Sequence, residues 1–397
     1  MDDGDGATAP LGDSGGPEEV TDASSGEGRR TSPIASVGIA ITALAIVAAG
    51  LPWVGEPAFR TETVTVWSEV GLAFAVLMLC GFFARRHALL GRTRGALAAG
   101  TGAGGLVAYS AFVGIGSIEG GTSNAGVGVP LAFLVGLAGL ALAEAERRAL
   151  SKARFHAMIA MVSLSIALGL AGMIGMIIWY NLLVLPMYVA YGSQEIGVFA
   201  QNLFGPAALG LSFVTVTAFY LAATDRSVSF IDVRKPTRRD MGYTVGGVAA
   251  LIGAAIAIQF VLSVVGFPGG EHDAVRAGRE YDLRILLVLI PLSILVIGPA
   301  EELLYRNVIQ KSLYDAFSRP GAIVVASVVF SAVHIFAYSG VEGPTLGTAG
   351  SLIAIFFLSL LLGTIYERTE NVVVPALVHG FYNAFVFGVQ YVGVIWL

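Results

Sequence analysis

Along this chain, long apolar runs alternate with short polar breaks. The apolar positions do not recur at i, i+3 and i+4, as they would on a helix with one wet face. They fill whole windows of roughly 20 residues, the length at which a helix crosses a bilayer. Eleven windows are predicted as helical spans, at about 34–54, 66–84, 95–115, 127–143, 157–179, 204–224, 243–266, 284–299, 321–338, 347–366 and 372–396. The stretch 180–203 is also apolar, but Pro186 and Gly192 are expected to break it. Allowing for that segment, the pattern predicts ten to twelve spans. The fold class is all-α, a polytopic transmembrane helical bundle in a cell membrane.

Composition sharpens the picture. Of 397 residues 55% are hydrophobic and only 13% charged, against about 25% charged in soluble domains. Mean hydropathy is +0.77. A large soluble helical protein would need polar faces at helical period, and these are missing. The net charge is −5. Residues 1–32 are rich in Gly, Ser, Asp and Glu and have little to bury, so they are expected to form a disordered acidic tail. The single cysteine, Cys80, excludes intrachain disulfides and cysteine-based zinc sites. No glycine-rich loop precedes a lysine as in a phosphate site, and no basic-aromatic face suggests nucleic acid as a partner.

Charge in the loops orients the bundle. The basic loops are Arg85/Arg86/Arg92/Arg94, Arg147/Arg148/Lys152/Arg154 and Arg226/Arg234/Lys235/Arg238/Arg239. Their alternation places them, and the N-terminus, inside under the positive-inside rule. The loop at 267–283, with Arg276 and Arg279, then falls outside and fits poorly. The last basic loop also suggests a division: 33–225, where no chemistry is visible, and 243–397, where the costly polar residues gather.

An ionisable side chain inside a membrane costs roughly 2.5–3.5 kcal/mol on insertion scales, so each is a functional candidate. Of five histidines only His334 and His379 fall within spans, while His87 and His272 are placed in loops. The segment GPAEELLYR adds Glu301, Glu302 and Arg306. Gly298-Pro299 is expected to interrupt the preceding helix and start a new one, with both carboxylates in its first turn. Glu302 and Arg306, four apart, can pair on one face, while Glu301 points about 100° away and is left free. Phe330 and His334 are four apart, as are His379 and Asn383. Counted at about 1.5 Å per residue, His379 and Asn383 lie roughly 10–17 Å from the inner end of their span and His334 about 20 Å from the same face, within reach of a common cavity open to the cytoplasmic side.

These residue types suit hydrolysis of an amide. A carboxylate can act as general base toward water. Asn and His can donate to a developing oxyanion. Glu301, His334 and His379 are also a plausible zinc-ligand set, although no H-E-x-x-H sequence is present. A membrane transporter, or a non-catalytic scaffold with a structural Glu/His/Asn cluster, is the alternative reading of the same residues.

In order along the chain, E-E-x-x-x-R (Glu301, Glu302, Arg306), F-x-x-x-H (Phe330, His334) and H-x-x-x-N (His379, Asn383) resemble the CAAX protease and bacteriocin-processing (CPBP) family, the Abi group of intramembrane endopeptidases. The resemblance covers roughly 243–397. It implies that Glu301 is the catalytic base, activating water with His334, and that His379 and Asn383 form the oxyanion hole. It further implies that Glu302 and Arg306 support the first motif and that Phe330 packs the site. Members are often described as metalloproteases, and a metal-free glutamate mechanism has also been argued. A peptide or protein substrate is implied, prenylated in some members. Asn307 follows the arginine where many members have Gly, a difference expected to act on helix packing.

Overall fold

The computed structural model describes residues 32–50, 62–119, 128–192, 198–264, 269–339 and 346–396. The acidic tail, apart from Ser32, lies outside the described residues. Among those described there are helices and no strand. In chain order they are α1 (Pro33–Gly50), α2 (Glu62–Arg86), α3 (Arg92–Glu119), α4 (Gly128–Arg147), α5 (Lys152–Tyr191), α6 (Val198–Ala223), α7 (Arg238–Val264), the short α8 (Asp273–Glu280), α9 (Arg284–Leu313), α10 (Arg319–Val333), α11 (Leu346–Thr369) and α12 (Val373–Trp396). One further turn, Ile335–Tyr338, extends α10. Among the described residues eight helices, α3, α5, α6, α7 and α9 to α12, are long and apolar enough to cross a membrane. Their outward side chains are apolar, as at Ile174 and Ile177 on α5 and Ile256 and Phe260 on α7. Cys80 also points outward. Such a surface suits a lipid solvent, where each helix satisfies its own backbone hydrogen bonds. The protein is a multi-pass membrane protein of all-α class.

Two expectations about helix breaks fail. The apolar stretch after 180 is not broken at Pro186: α5 is one helix of 40 residues that runs through the proline and stops at Gly192. Gly192 adopts φ 78, a left-handed conformation that glycine takes without steric cost and that commonly ends helices. Nor does Gly298-Pro299 start a new helix. Gly298 itself is helical, with φ −55 and ψ −52, and α9 is continuous over 30 residues. The chain instead widens into π-helix at Ser293–Ile297, just before the proline, and again at Leu303–Gln310. Proline removes an N–H and crowds the preceding turn, and a π-turn is a recognised way for a helix to absorb that disturbance. Glu301 and Glu302 therefore sit in mid-helix, away from any helix N-terminus.

Packing groups the helices. α1 to α4 pack on one another around Ile34, Met78, Phe82, Ala103 and Leu142. Here small residues bring backbones together. A Cβ on Gly81 would stand 2.3 Å from the Ala99 nitrogen, and one on Gly102 2.3 Å from that of Met78. α5 and α6 pack instead with α9 and α10, where Phe213 and Tyr220 share a core with Leu304, Tyr305 and Phe330. α7, α11 and α12 complete this second group.

Two contacts position the motif helices. α9 crosses α12 at Gly298 and Gly380. A Cβ on Gly298 would lie 2.6 Å from the Ala376 carbonyl, and one on Gly380 2.7 Å from both the Ile294 Cα and the Ser293 carbonyl. The α6–α7 connection also straps the arginine-rich end of the group. The Asp232 amide donates to Asn307 Oδ1 at 2.7 Å, and its carboxylate accepts from Lys311 Nζ at 2.7 Å and Tyr366 Oη at 2.6 Å. Asn307, the departure from the family pattern, is thus an anchor for the strap.

The glycine crossing predicts an asymmetric result. Gly380→Ala forces a side chain into backbone atoms and should cost about 1–3 kcal/mol. Gly246→Ala on α7 meets nothing within 4 Å and should leave stability unchanged or slightly raised. Thermal unfolding in detergent compares them. Equal midpoints would mean that α9 and α12 are not in backbone contact.

Candidate active site

The π-helical stretches flanking Gly298–Glu302 turn both carboxylates toward α12. Glu302 is fully buried and has two partners. Arg306 Nε donates to Oε2 at 2.8 Å, and His379 Nδ1 donates to Oε1 at 2.9 Å. The other ring nitrogen, His379 Nε2, faces Glu301 Oε2 at 3.7 Å. That oxygen is buried without a hydrogen-bond partner among the described residues. Glu301 is therefore the carboxylate left available, and Glu302 is the one that holds other groups in place.

Arg306 is fully buried as well, and its two terminal nitrogens have no hydrogen-bond partner among the described residues. Its guanidinium carbon lies 4.9 Å from the centre of the Phe330 ring. A cation over an aromatic face recovers part of its lost solvation. Phe330 also meets His334 at 4.5 Å, Tyr305 at 4.9 Å and His379 at 5.9 Å between ring centres. One aromatic ring thus touches members of all three motifs.

His334 closes α10 as its C-terminal cap, one turn beyond Phe330. Its Nδ1 lies 2.7 Å from the Phe330 carbonyl. A carbonyl only accepts, so Nδ1 carries the proton and Nε2 presents a lone pair. Beside Glu301 the structure also brings His379, with Nε2 at 3.7 Å from Oε2, where Gly380 lets α12 approach α9 closely. Asn383 stands one turn after His379 on the same helix, half-buried, with no hydrogen bond to another described residue.

One residue assigned to a loop belongs beside this cluster. His272 caps the N-terminus of α8, with Nδ1 accepting from the Ala274 amide at 3.0 Å. Its ring packs edge-on against Tyr338 at 5.0 Å and Phe387 at 6.2 Å. Burial, with His334 nearby, pulls its pKa down to about 4. The sequence signal was faint: a histidine before Asp-Ala-Val-Arg reads as a helix cap, with nothing to show where α8 docks.

Toward the arginine-rich end the cluster is sealed, since Arg306, Asn307 and Gln310 have no exposed surface and the strap lies across them. On the opposite side His334, Tyr338 and Asn383 are half-buried.

A family description, Rce1-like type II CAAX prenyl endopeptidase, matches residues 283–385. This part of the chain is a CAAX protease (CPBP) family domain. The match spans α9 to α12 with all seven motif residues, and the family is one of endopeptidases acting on peptide or protein substrates in membranes. No curated protein and no solved structure matches the chain.

Among the described residues no three His, Cys, Asp or Glu side chains gather as ligands of one ion. The Nδ1 atoms of His379 and His334 are held by Glu302 and the Phe330 carbonyl, which leaves their Nε2 atoms facing inward, and Arg306 places a fixed cation beside Glu302. Glu301, His334 and His379 do not converge as one ligand set among the described residues.

Two measurements probe the site's construction. Arg306→Ala removes one member of a fully buried ion pair, which should cost about 3–5 kcal/mol in unfolding free energy, whereas exposed Arg319→Ala should fall within about 1 kcal/mol. The second concerns His272, whose pKa burial lowers from the ordinary 6.5 to about 4. The unfolded chain then takes up a proton first as pH falls, so stability drops between about 6.5 and 4. His272→Asn keeps a capping acceptor and should lose less stability between pH 7 and 4.5 than the parent protein. An equal loss would place the titration elsewhere.

Proposed function

We propose that the protein is an intramembrane endopeptidase in which Glu301 activates water for attack on a peptide bond. The observation that carries this reading is the buried, unpartnered Glu301 Oε2 facing His379 Nε2 at 3.7 Å. Glu301 takes a proton from the water while its oxygen bonds to the scissile carbonyl carbon. The lone pair on His334 Nε2 accepts from the same water and orients it. The carbonyl electrons move to oxygen, where Asn383 Nδ2 donates a hydrogen bond and His379, held by Glu302, adds positive character when protonated. Collapse of the tetrahedral intermediate breaks the C–N bond, and Glu301 passes its proton to the leaving amine. Glu302 and Arg306 act as positioning residues, and Phe330 sets the spacing among the three motifs.

The substrate is a peptide or protein reached within the bilayer, and a lipidated chain is compatible with the family description. The gradient of burial favours entry past His334, Tyr338 and Asn383, on the side of α8. A transporter reading would draw on helices broken near mid-membrane, and the continuous α9 removes that support.

The test is cleavage of a peptide library by purified protein, with and without chelator. Glu301→Gln should lower the rate by about 10²–10⁴ while the protein stays folded. Asn383→Ala should cost about 10²–10³. Chelator should leave wild-type cleavage unchanged. Undiminished cleavage by Glu301→Gln would overturn the assignment, and activity lost to chelator and restored by zinc would overturn the metal-free step.

A further inference from the structure

A second cavity lies between α7 and α11, away from the candidate active site. It encloses about 460 Å³. Its walls are Gly242, Gly246 and Ala250 on α7 and Leu361 on α11, and Arg239, Tyr243 and Arg368 stand at its polar end. A Cβ on Gly242 or Gly246 would meet no atom within 4 Å, so the missing side chains are what open the groove. Its floor is closed where Gly247 packs against Val378 and Ile365.

The two arginines have no ion-pair partner among the described residues. Asp240, next to Arg239, is taken by Arg234 at 2.6 Å and by Thr237. Glu370, near Arg368, pairs with Arg319 at 3.9 Å. Both arginines approach the Tyr243 hydroxyl, Arg239 at 3.5 Å, and Arg239 also lies over the ring at 5.4 Å. Both arginines sit at the ends of spanning helices, Arg238–Val264 and Gly347–Thr369, the level of the headgroups. From Arg239 to Ala250 the groove runs about 16 Å along α7, close to one leaflet of a hydrocarbon core roughly 30 Å thick.

We propose that this groove binds one anionic phospholipid, its phosphate between Arg239 and Arg368 and an acyl chain along Gly242, Gly246 and Ala250. Unpaired cations over an apolar slot between membrane helices complement an anionic headgroup with a chain attached. A soluble anion uses only the polar half, and a zwitterionic lipid sets its own ammonium beside the two arginines and gains less from them. The site is independent of the hydrolytic chemistry, so its test does not depend on activity.

Native mass spectrometry of the full-length protein, purified with phosphatidylglycerol or phosphatidylcholine, reads the result. One phosphatidylglycerol should be retained, in preference to phosphatidylcholine. With about fivefold in affinity per basic residue at an anionic surface, Arg239→Gln with Arg368→Gln should weaken retention on the order of thirtyfold. Gly246→Leu fills the groove with a better helix former and should weaken retention without lowering the unfolding midpoint. Undiminished retention in either variant, or equal retention of phosphatidylcholine, would overturn the proposal. So would displacement of the lipid by inorganic phosphate, which would make this an anion site, or by a prenylated peptide, which would make it a substrate groove.

Discussion

The buried carboxylate of Glu302 is the constraint around which the motif-bearing helices are organised. It accepts from Arg306 on its own helix and from His379 on another, so one charge joins two motifs. Inside a membrane neither partner can be released cheaply, because the group left behind would stand unpaired in a medium that does not solvate it. The pairing also sets the tautomer of His379: with Nδ1 donating to Glu302, Nε2 must point at Glu301. A structural ion pair therefore decides which face the reactive residues present to each other.

That pairing depends on backbone geometry. Two glycines, Gly298 and Gly380, let α9 and α12 meet without intervening side chains. The π-helical turns on either side of Gly298–Glu302 change the angular step between residues, and so help determine that Glu301 looks at His379. Asn307 and the strap through Asp232 hold the end of α9 from the other direction. The departure from the family pattern at Asn307 is accounted for by this anchoring role, since its side chain turns to the strap and away from Glu301.

Beyond the family match, α5 and α6 are packing partners of the motif helices, while α1 to α4 form a separate small-residue bundle with their own buried pair, Arg85 Nε to Glu146 Oε1 at 2.5 Å. The arginine-rich face joins several features. It carries the strap, it seals the candidate site from that side, and it borders the groove between α7 and α11. Lipid chemistry at this face and peptide chemistry on the α8 side would then act on opposite ends of the same helices.

Much was legible without coordinates. Uninterrupted apolar windows dictate a membrane bundle because no other solvent tolerates them. Four-residue spacings put Glu302 with Arg306 and His379 with Asn383 on shared faces because an α-helix turns in 3.6 residues. The rarity of ionisable groups in spans singled out Glu301, Glu302, Arg306, His334 and His379, because each is expensive to place there. What sequence could not decide was how separate helices approach. It read Pro186 and Pro299 as breaks, since proline's local cost is visible and the π-turn or lengthened helix that absorbs it is not. Depth alone could not show that His379 also meets Glu301, because that contact is made by the backbone crossing at Gly380. It left His272 in a loop, because only the docking of α8 carries that ring to Tyr338. Local periodicity fixes which residues share a face; which faces meet is set by interhelical packing, a property no single segment contains.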